Sequence, residues 1–295
     1  MPRKAHKLNK TVANGIQGDW KGVTGVSNGH SGTPWNDLLQ FPIEGRQTKP
    51  RQTGLTMVID KGVGTGAMDD ILRTAGDYID FWKLGFGTTA LYRQDVLRQK
   101  ISIARSQKID IYPGGTFLEI AIAQNKLENY LELARETGFT AVEISDGSLT
   151  VKKSVRKRAI SLGCSLGLKV LTEVGKKDPR ERLSTNQLID AVYHDLESGA
   201  FKVILEGRES GTGSGLYDED GFFVGQVVKD LEEAVGDIDN LIWEAPLKHQ
   251  QTDLILRFGP NVNMGNIAPT EVFSTESLRL GLRGDTLTVA YFGEF

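Results

Sequence analysis

Glu143, Glu173, Glu206 and Glu244 stand at corresponding ends of four successive short apolar runs in this sequence. Four carboxylates gathered at one place repel one another unless cations lie between them. When every available ligand is oxygen, the usual cation is Mg2+, which is hard, small and suited to oxygen donors. The competing reading is a polar rim, in which some of the four pair with Lys83, Lys176, Lys177 or Arg208. The histidines offer no alternative metal set: His6, His30, His194 and His249 are scattered, and their spacing suits no zinc site. Only His249 falls near the end of a run.

Lys83 closes an apolar run with Phe81 two residues before it, which in an extended chain puts both side chains on one side. Lys176 and Lys177 follow Gly175 directly after another run. Neighbours in an extended segment diverge, so one of the two enters a shared site, and spacing alone does not choose which. A lysine that is partly desolvated among other cations has a lowered pKa and acts as a general acid near neutral pH. Mg2+, two or three cations and a flexible anion-binding loop together suit a small phosphorylated or multiply anionic substrate with an enolate-like intermediate. Rival motifs are missing. Gly62–Gly66 has the wrong spacing for a dinucleotide loop, no Walker Lys-Ser/Thr follows it, and no Gly-x-Ser-x-Gly elbow occurs.

Such a site needs a scaffold that gathers the ends of many strands. Apolar runs recur at Leu55–Asp60, Tyr78–Lys83, Ile109–Tyr112, Ala141–Ser145, Lys169–Glu173, Phe201–Glu206, Leu241–Glu244 and Val262–Asn266. Each leads into a helical pattern, and strands alternating with helices imply right-handed parallel crossovers. Eight such units in 295 residues predict a closed (β/α)8 TIM barrel, with its active site at the C-terminal strand ends. The helices are expected over Ala67–Ala75, Asp95–Ser106, Leu118–Thr137, Val155–Leu166, Asn186–Ser198, Phe222–Val235, Gln251–Phe258 and Pro269–Leu280, with glycines as frequent C-terminal caps. The longest loop, Gly207–Gly221, is rich in glycine and can aim several backbone N–H groups at one anion or move as a lid. Residues 1–48 are rich in Gly, Asn, Thr and Lys, with isolated aromatics at Trp20, Trp35 and Phe41 and no sustained period. They are expected to be a flexible or loosely packed extension that adds little to the core, with Phe41-Pro42-Ile43 approaching the base of the barrel. Residues 49–295 then form the catalytic barrel.

Composition narrows the partners. A net charge of −3 supplies no field that favours nucleic acid or an acidic membrane, so an anionic substrate must be captured by a local cluster. No apolar run reaches the about eighteen residues of a membrane span, and no apolar core follows Arg3, Lys4 and Lys7 as in a secretory signal. A soluble, cytoplasmic protein is expected. Cys164 is the only cysteine, which excludes an intrachain disulfide; beside Ile160, Leu162 and Leu166 it is expected to be a small core residue. The aromatics of the extension suit the cover of a neighbouring subunit, and a homo-oligomer is the expected assembly.

Several segments resemble the phosphosulfolactate synthase family. They are Tyr78-Ile-Asp-Phe-Trp-Lys-Leu-Gly-Phe-Gly-Thr-Thr89, Tyr112-Pro-Gly-Gly-Thr116, Ala141-Val-Glu-Ile-Ser-Asp-Gly147, Leu171-Thr-Glu-Val-Gly-Lys-Lys177 and Glu206-Gly-Arg-Glu-Ser-Gly211. Trp243-Glu-Ala-Pro246, Val262-Asn-Met-Gly-Asn-Ile267 and Gly281-Leu-Arg-Gly-Asp-Thr286 continue the match, which runs from about residue 50 to the end. The resemblance implies a (β/α)8 barrel lyase that adds sulfite to phosphoenolpyruvate with Mg2+, giving (2R)-O-phospho-3-sulfolactate, toward coenzyme M or sulfolactate. It implies Lys177, rather than Lys176, as the donor of a proton to C2, with Lys83 in the same cationic group. It further implies a metal among Glu143, Asp146 and Glu173, and phosphate or sulfite on Arg208, Ser210, Gly211 and the backbone near Asn266. Fold alone does not settle function, since plant heat-stress relatives keep the barrel and work otherwise. The alternatives are a non-catalytic stress or binding protein and another Mg2+-dependent enolate-forming barrel enzyme. The Glu-Val-Gly-Lys-Lys and Gly-Arg-Glu-Ser-Gly segments favour a working enzyme.

Overall fold

A computed structural model describes Trp35 and residues 38–292, so the expectations for Trp20, His6, His30 and the basic N-terminus lie outside the described residues. Eight parallel strands form one sheet: β1 (Thr56–Asp60), β2 (Phe81–Leu84), β3 (Asp110–Pro113), β4 (Ala141–Ile144), β5 (Lys169–Val174), β6 (Lys202–Leu205), β7 (Leu241–Glu244) and β8 (Met264–Ile267). Their order is β3-β2-β1-β8-β7-β6-β5-β4, the cyclic order of a (β/α)8 barrel with its seam between β3 and β4. Thr140 stitches that seam: its amide donates to Ile111 O at 3.2 Å, and its hydroxyl accepts from Ile111 N at 3.0 Å. The expected TIM barrel is the observed fold.

Ten α-helices are described: α1 (Thr65–Ala75), α2 (Gln94–Ser106), α3 (Gly115–Ala123), α4 (Leu127–Thr137), α5 (Lys153–Ser165), α6 (Thr185–Glu197), α7 (Gly225–Val235), α8 (Lys248–Phe258), α9 (Val272–Arg279) and α10 (Gly284–Phe292). The long helix expected over Leu118–Thr137 is two. Asn125 turns left-handed at φ 55°, and Lys126 N reaches back to Ala121 O at 2.8 Å, which closes α3 before α4 starts. Cys164 is exposed, in correction of its expected core position. Ala159, Ile160 and Gly163 take the sheet-facing side of α5 instead, and Cys164 lies one residue round the helix from them. Among the described residues no helix is long and apolar enough to cross a membrane.

Strand alternation divides the core. Leu55, Met57, Phe81, Tyr112, Ala141, Leu171, Ile204 and Ile242 fill the barrel interior. Val58, Trp82, Leu84, Val142, Ile144, Val203, Leu205 and Trp243 face the helices. Two residues beyond Phe81, Ala141, Leu171, Ile204 and Ile242 come Lys83, Glu143, Glu173, Glu206 and Glu244, all buried. An apolar floor therefore carries a charged layer directly above it, on the side where the strands end.

The barrel base recruits part of the expected extension. Arg46 clasps Glu276 with Nε–Oε1 at 2.8 Å and Nη2–Oε2 at 3.1 Å, both groups buried, and gives Nη1 to Gly54 O at 2.9 Å. Ile43 N donates to Leu280 O at 3.2 Å, beside the Gly281 backbone.

Candidate active site at the barrel mouth

Lys83 is the hub of the charged layer. Its Nζ lies 2.9 Å from Glu143 Oε2, 3.1 Å from Glu173 Oε2 and 3.4 Å from Glu244 Oε1. Burial pushes this ammonium's pKa down, but Glu143, Glu173 and Glu244 reverse the effect and hold it well above the usual lysine range. Each carboxylate has a further anchor. Gly115 N, at the start of α3, donates to Glu143 Oε1 at 2.7 Å, and Gly207 N donates to Glu244 Oε2 at 3.0 Å. Gly115 is needed for that approach, because a Cβ there would lie 2.5 Å from Ser145 Cβ and 2.9 Å from Glu143 Oε1.

Lys176 and Lys177 diverge. Lys177 Nζ enters the mouth, 3.1 Å from Glu173 Oε1, 3.1 Å from Thr116 Oγ1 and 3.7 Å from Glu206 Oε2. Lys176 turns away to Asp146, 3.4 Å from its Oδ2. Gly175 between strand and lysines has φ 133°, and a Cβ there would strike Glu206 Cβ at 2.5 Å. Lys177 is not a lysine among cations, as the sequence suggested. Burial lowers its pKa, but Glu173 and Glu206 prevail and raise it.

The carboxylates differ in ionisation. Burial drives the Glu143 carboxyl up to about 7, with Lys83 opposing and Glu173 adding. Burial also pushes up Glu206, whose neighbours Glu173 and Glu244 push the same way, and Glu244, which Lys83 partly rescues. Glu173 resists its burial because Lys177 and Lys83 together hold it well below the carboxylate range. Four buried carboxylates against two ammonium groups leave excess negative charge when all ionise. Glu173, Glu206 and Glu244 bring ligand oxygens within 4.8 Å of one another, and Glu206 Oε2 is buried with no hydrogen-bond partner. These all-oxygen donors fit Mg2+.

The other residues named from sequence are distributed as follows. Asp146 stands outside the charged layer, paired with Arg156 at 3.3 Å and with Lys176. Asn266, at φ 55°, lines the mouth cavity of about 60 Å3, and its buried Oδ1 has no hydrogen-bond partner. Arg208, at φ 62°, donates its amide to Glu206 Oε1 at 2.6 Å. Ser210 is exposed and bonds within the loop to Thr212. Gly211 is buried against α8, where Gln250 Nε2 donates to Gly211 O at 2.7 Å and to Gly221 O at 2.9 Å. The amides of Gly211 and Gly213 are spent on Arg208 O at 3.2 Å and Asp218 O at 2.8 Å, so the glycine loop is folded on itself here. His249 Nε2 lies 2.9 Å from Gly221 O and braces the same loop. Lys61 pairs with Glu209 across the mouth.

A wider cavity of about 490 Å3 opens at the barrel base, but Arg51 pairs there with Asp80 at 2.8 Å and Lys169 with Asp110 at 2.5 Å. Glu206 Oε2, which has no hydrogen-bond partner, lies at the mouth and not at the base.

Comparison with known proteins decides the family. The sequence pattern of (2R)-phospho-3-sulfolactate synthases matches residues 44–285. The phosphosulfolactate synthase of Methanothermobacter thermautotrophicus is 44% identical over 253 residues, covering 85% of this chain and 98% of that protein. That of Methanocaldococcus jannaschii is 46% identical over 237 residues (80% and 94%), and that of Bacillus subtilis 39% over 254 (85% and 98%). The chain belongs to the phosphosulfolactate synthase family. Among solved structures, phosphonopyruvate hydrolase in complex with oxalate and Mg2+ superposes with a TM-score of 0.51 at 12% identity, over 75% of this chain and 77% of that one. A 3-hexulose-6-phosphate synthase gives 0.50 at 14%, over 76% and 97%. Identities this low show the barrel fold alone.

Within this synthase-family barrel two buried residues escaped the sequence reading. Glu119 sits between Leu118 and Ile120 in an apolar stretch of α3, and Ser145 follows β4; Ser145 touches Glu173 of the charged layer, and Glu119 touches Ser145. A charge inside an apolar helical stretch was the available signal, because an acidic residue is fully buried only where it has partners.

Proposed function

We propose that this barrel is an enzyme of the carbon–sulfur lyase type that adds sulfite to phosphoenolpyruvate, with Mg2+, to give (2R)-O-phospho-3-sulfolactate. The observation that carries the reading is the pairing of one mouth lysine, Lys177, with an all-oxygen carboxylate group, Glu173, Glu206 and Glu244, in a chain of this family. Both substrates are anions, whereas the charged layer carries excess carboxylate. The carboxylate geometry and the excess of negative charge therefore support a divalent cation as part of the site. Bound Mg2+ supplies positive charge to substrate oxygens where charge develops. Glu173, Glu206 and Glu244 would hold it.

The chain's own groups do the rest. Sulfite sulfur forms a bond to C3 as the C2–C3 π bond breaks, and the electron pair passes to C2 and its carboxylate. Lys83, fixed by three carboxylates, keeps its charge throughout and favours an anion above it. The Lys177 ammonium delivers its proton to one face of C2 and recovers one from water. Its raised pKa in the free protein reflects Glu173 and Glu206; a cation held by those carboxylates would offset their charge and make Lys177 a stronger acid. The test is phosphoenolpyruvate depletion with and without sulfite and with and without chelator. Loss only when sulfite and Mg2+ are both present is expected; loss without sulfite, or full rate in excess chelator, overturns the reading.

A further inference from the structure

Glu119 is 1% exposed, and among the described residues it makes no ion pair with lysine or arginine. A buried carboxylate without a counter-charge is costly unless hydrogen bonds replace its water. Its donors all come from one short loop. Ser145 Oγ lies 2.7 Å from Oε1, and the amides of Ser148 and Leu149 donate to Oε2 at 3.0 and 2.5 Å. The carboxylate is therefore a clamp on the turn that follows β4.

That turn reaches the mouth by two routes. Through side chains, Ser145 Oγ also lies 3.1 Å from Glu173 Oε1, the same oxygen that meets Lys177 Nζ at 3.1 Å. Through the backbone, Gly147 O accepts from Lys177 N at 3.0 Å. The turn also passes close by: a Cβ on Gly147 would stand 3.4 Å from Glu173 Oε1 and 3.4 Å from Lys177 Cε. Ser145 accepts from Gly147 N at 3.2 Å, which ties the two routes together.

We infer that Glu119, acting through Ser145 and Gly147, is a positioning residue that sets the Glu173 carboxylate and the Lys177 ammonium. The catalytic part of this inference rests on the proposed role of Lys177; the geometric part does not. Displacing a reacting group by about 1 Å costs as much as 100-fold in rate, so small movements of this turn matter.

Three variants of the full chain separate the routes. Ser145→Ala cuts the side-chain route and leaves the amide clamp. Glu119→Gln keeps an acceptor for the Ser148 and Leu149 amides but turns an NH2 toward Ser145. Glu119→Ala removes both routes. Two readouts are taken: acylation of Lys177 by a soluble amine reagent, measured by peptide mass spectrometry against exposed Lys229, and kcat with KM for phosphoenolpyruvate. Glu119→Ala is expected to speed Lys177 acylation several-fold with Lys229 unchanged, and to lower kcat by about 10- to 100-fold while KM stays within about threefold. Ser145→Ala is expected to lower kcat by less, and Glu119→Gln to restore slow Lys177 acylation. Where Glu119→Ala fails to fold, Ser145→Ala and Glu119→Gln decide. Lys177 acylation and kcat both unchanged in Ser145→Ala, or Lys177 acylation unchanged in a folded Glu119→Ala, overturn the inference. A wild-type protein inert toward phosphoenolpyruvate and sulfite refutes the proposed function instead, and the acylation readout then still tests the positioning.

Discussion

Lys176 and Lys177 share a peptide bond and almost nothing else. One is spent on Asp146 outside the charged layer, and the other sits against Glu173, Glu206 and Thr116 inside it. Positioned acid catalysis is worth about 10^2- to 10^4-fold, so Lys177→Ala is expected to lower kcat by that order with a much smaller change in KM for phosphoenolpyruvate. Lys176→Ala is the control and should keep near-normal turnover; the reverse pattern in steady-state kinetics would mean the wrong lysine has been assigned. For the carboxylates, Glu206→Gln removes a donor whose Oε2 has no protein hydrogen bond. Calorimetric titration with Mg2+ should show at least about tenfold weaker binding, whereas Asp146→Asn should change it little. Equal effects of the two variants would place the metal elsewhere. The distinction between these carboxylates was already legible in strand phase. Glu143, Glu173, Glu206 and Glu244 each follow an inward apolar residue by two, while Asp146 lies beyond β4 and out of that phase. The choice between Lys176 and Lys177 was not legible, because it depends on the turn at Gly175, and strand periodicity ends there.

At the scale of elements, the segment before β1 is part of the barrel base. Burial pushes the Glu276 carboxyl up, but Arg46, by charge and hydrogen bonds, with help from Arg279, more than reverses this and holds it below the usual range. A carboxylate with a depressed folded pKa stabilises the fold above its unfolded value of 4.5 and loses that contribution as pH falls through the folded pKa. Arg46→Met leaves Glu276 buried with only Arg279 at 3.9 Å, and breaking such a buried pair costs about 3–5 kcal/mol. Urea unfolding should show that loss at pH 7 and a shrinking gap to the wild type as pH falls below about 4.5. A chain beginning at Lys49 should unfold like Arg46→Met, and one beginning at Gln40 like the full chain. Equal stability of the two truncations would make the clasp incidental. The periodicity of the sequence could not show this clasp, because a single arginine in an aperiodic segment carries no signal for a partner in α9. The glycine-rich loop after β6 gives a related lesson. Its composition suggested open amides, but its own carbonyls take up those of Gly211 and Gly213, while Gln250 donates to the Gly211 and Gly221 carbonyls.

Across the whole molecule, the alternation of apolar runs with helical patterns was enough to read a (β/α)8 barrel and its strands to within a few residues. Helix boundaries were less legible where single residues break the pattern, as Asn125 does, and α10 was missed because its Thr, Leu, Val and Tyr residues show no clear amphipathic face. Seating a charged layer on an apolar floor inside the barrel makes every group in it depend on the others, so that layer behaves as one unit. The central claim is that this unit joins sulfite sulfur to C3 of phosphoenolpyruvate and places a solvent-derived proton on C2. The most direct test is NMR of the product formed from phosphoenolpyruvate and sulfite with Mg2+ in D2O. A single phosphorylated product is expected, bearing the sulfonate on C3 and one deuterium on C2 in one configuration. Unchanged phosphoenolpyruvate, or a product without the carbon–sulfur bond, would contradict the account.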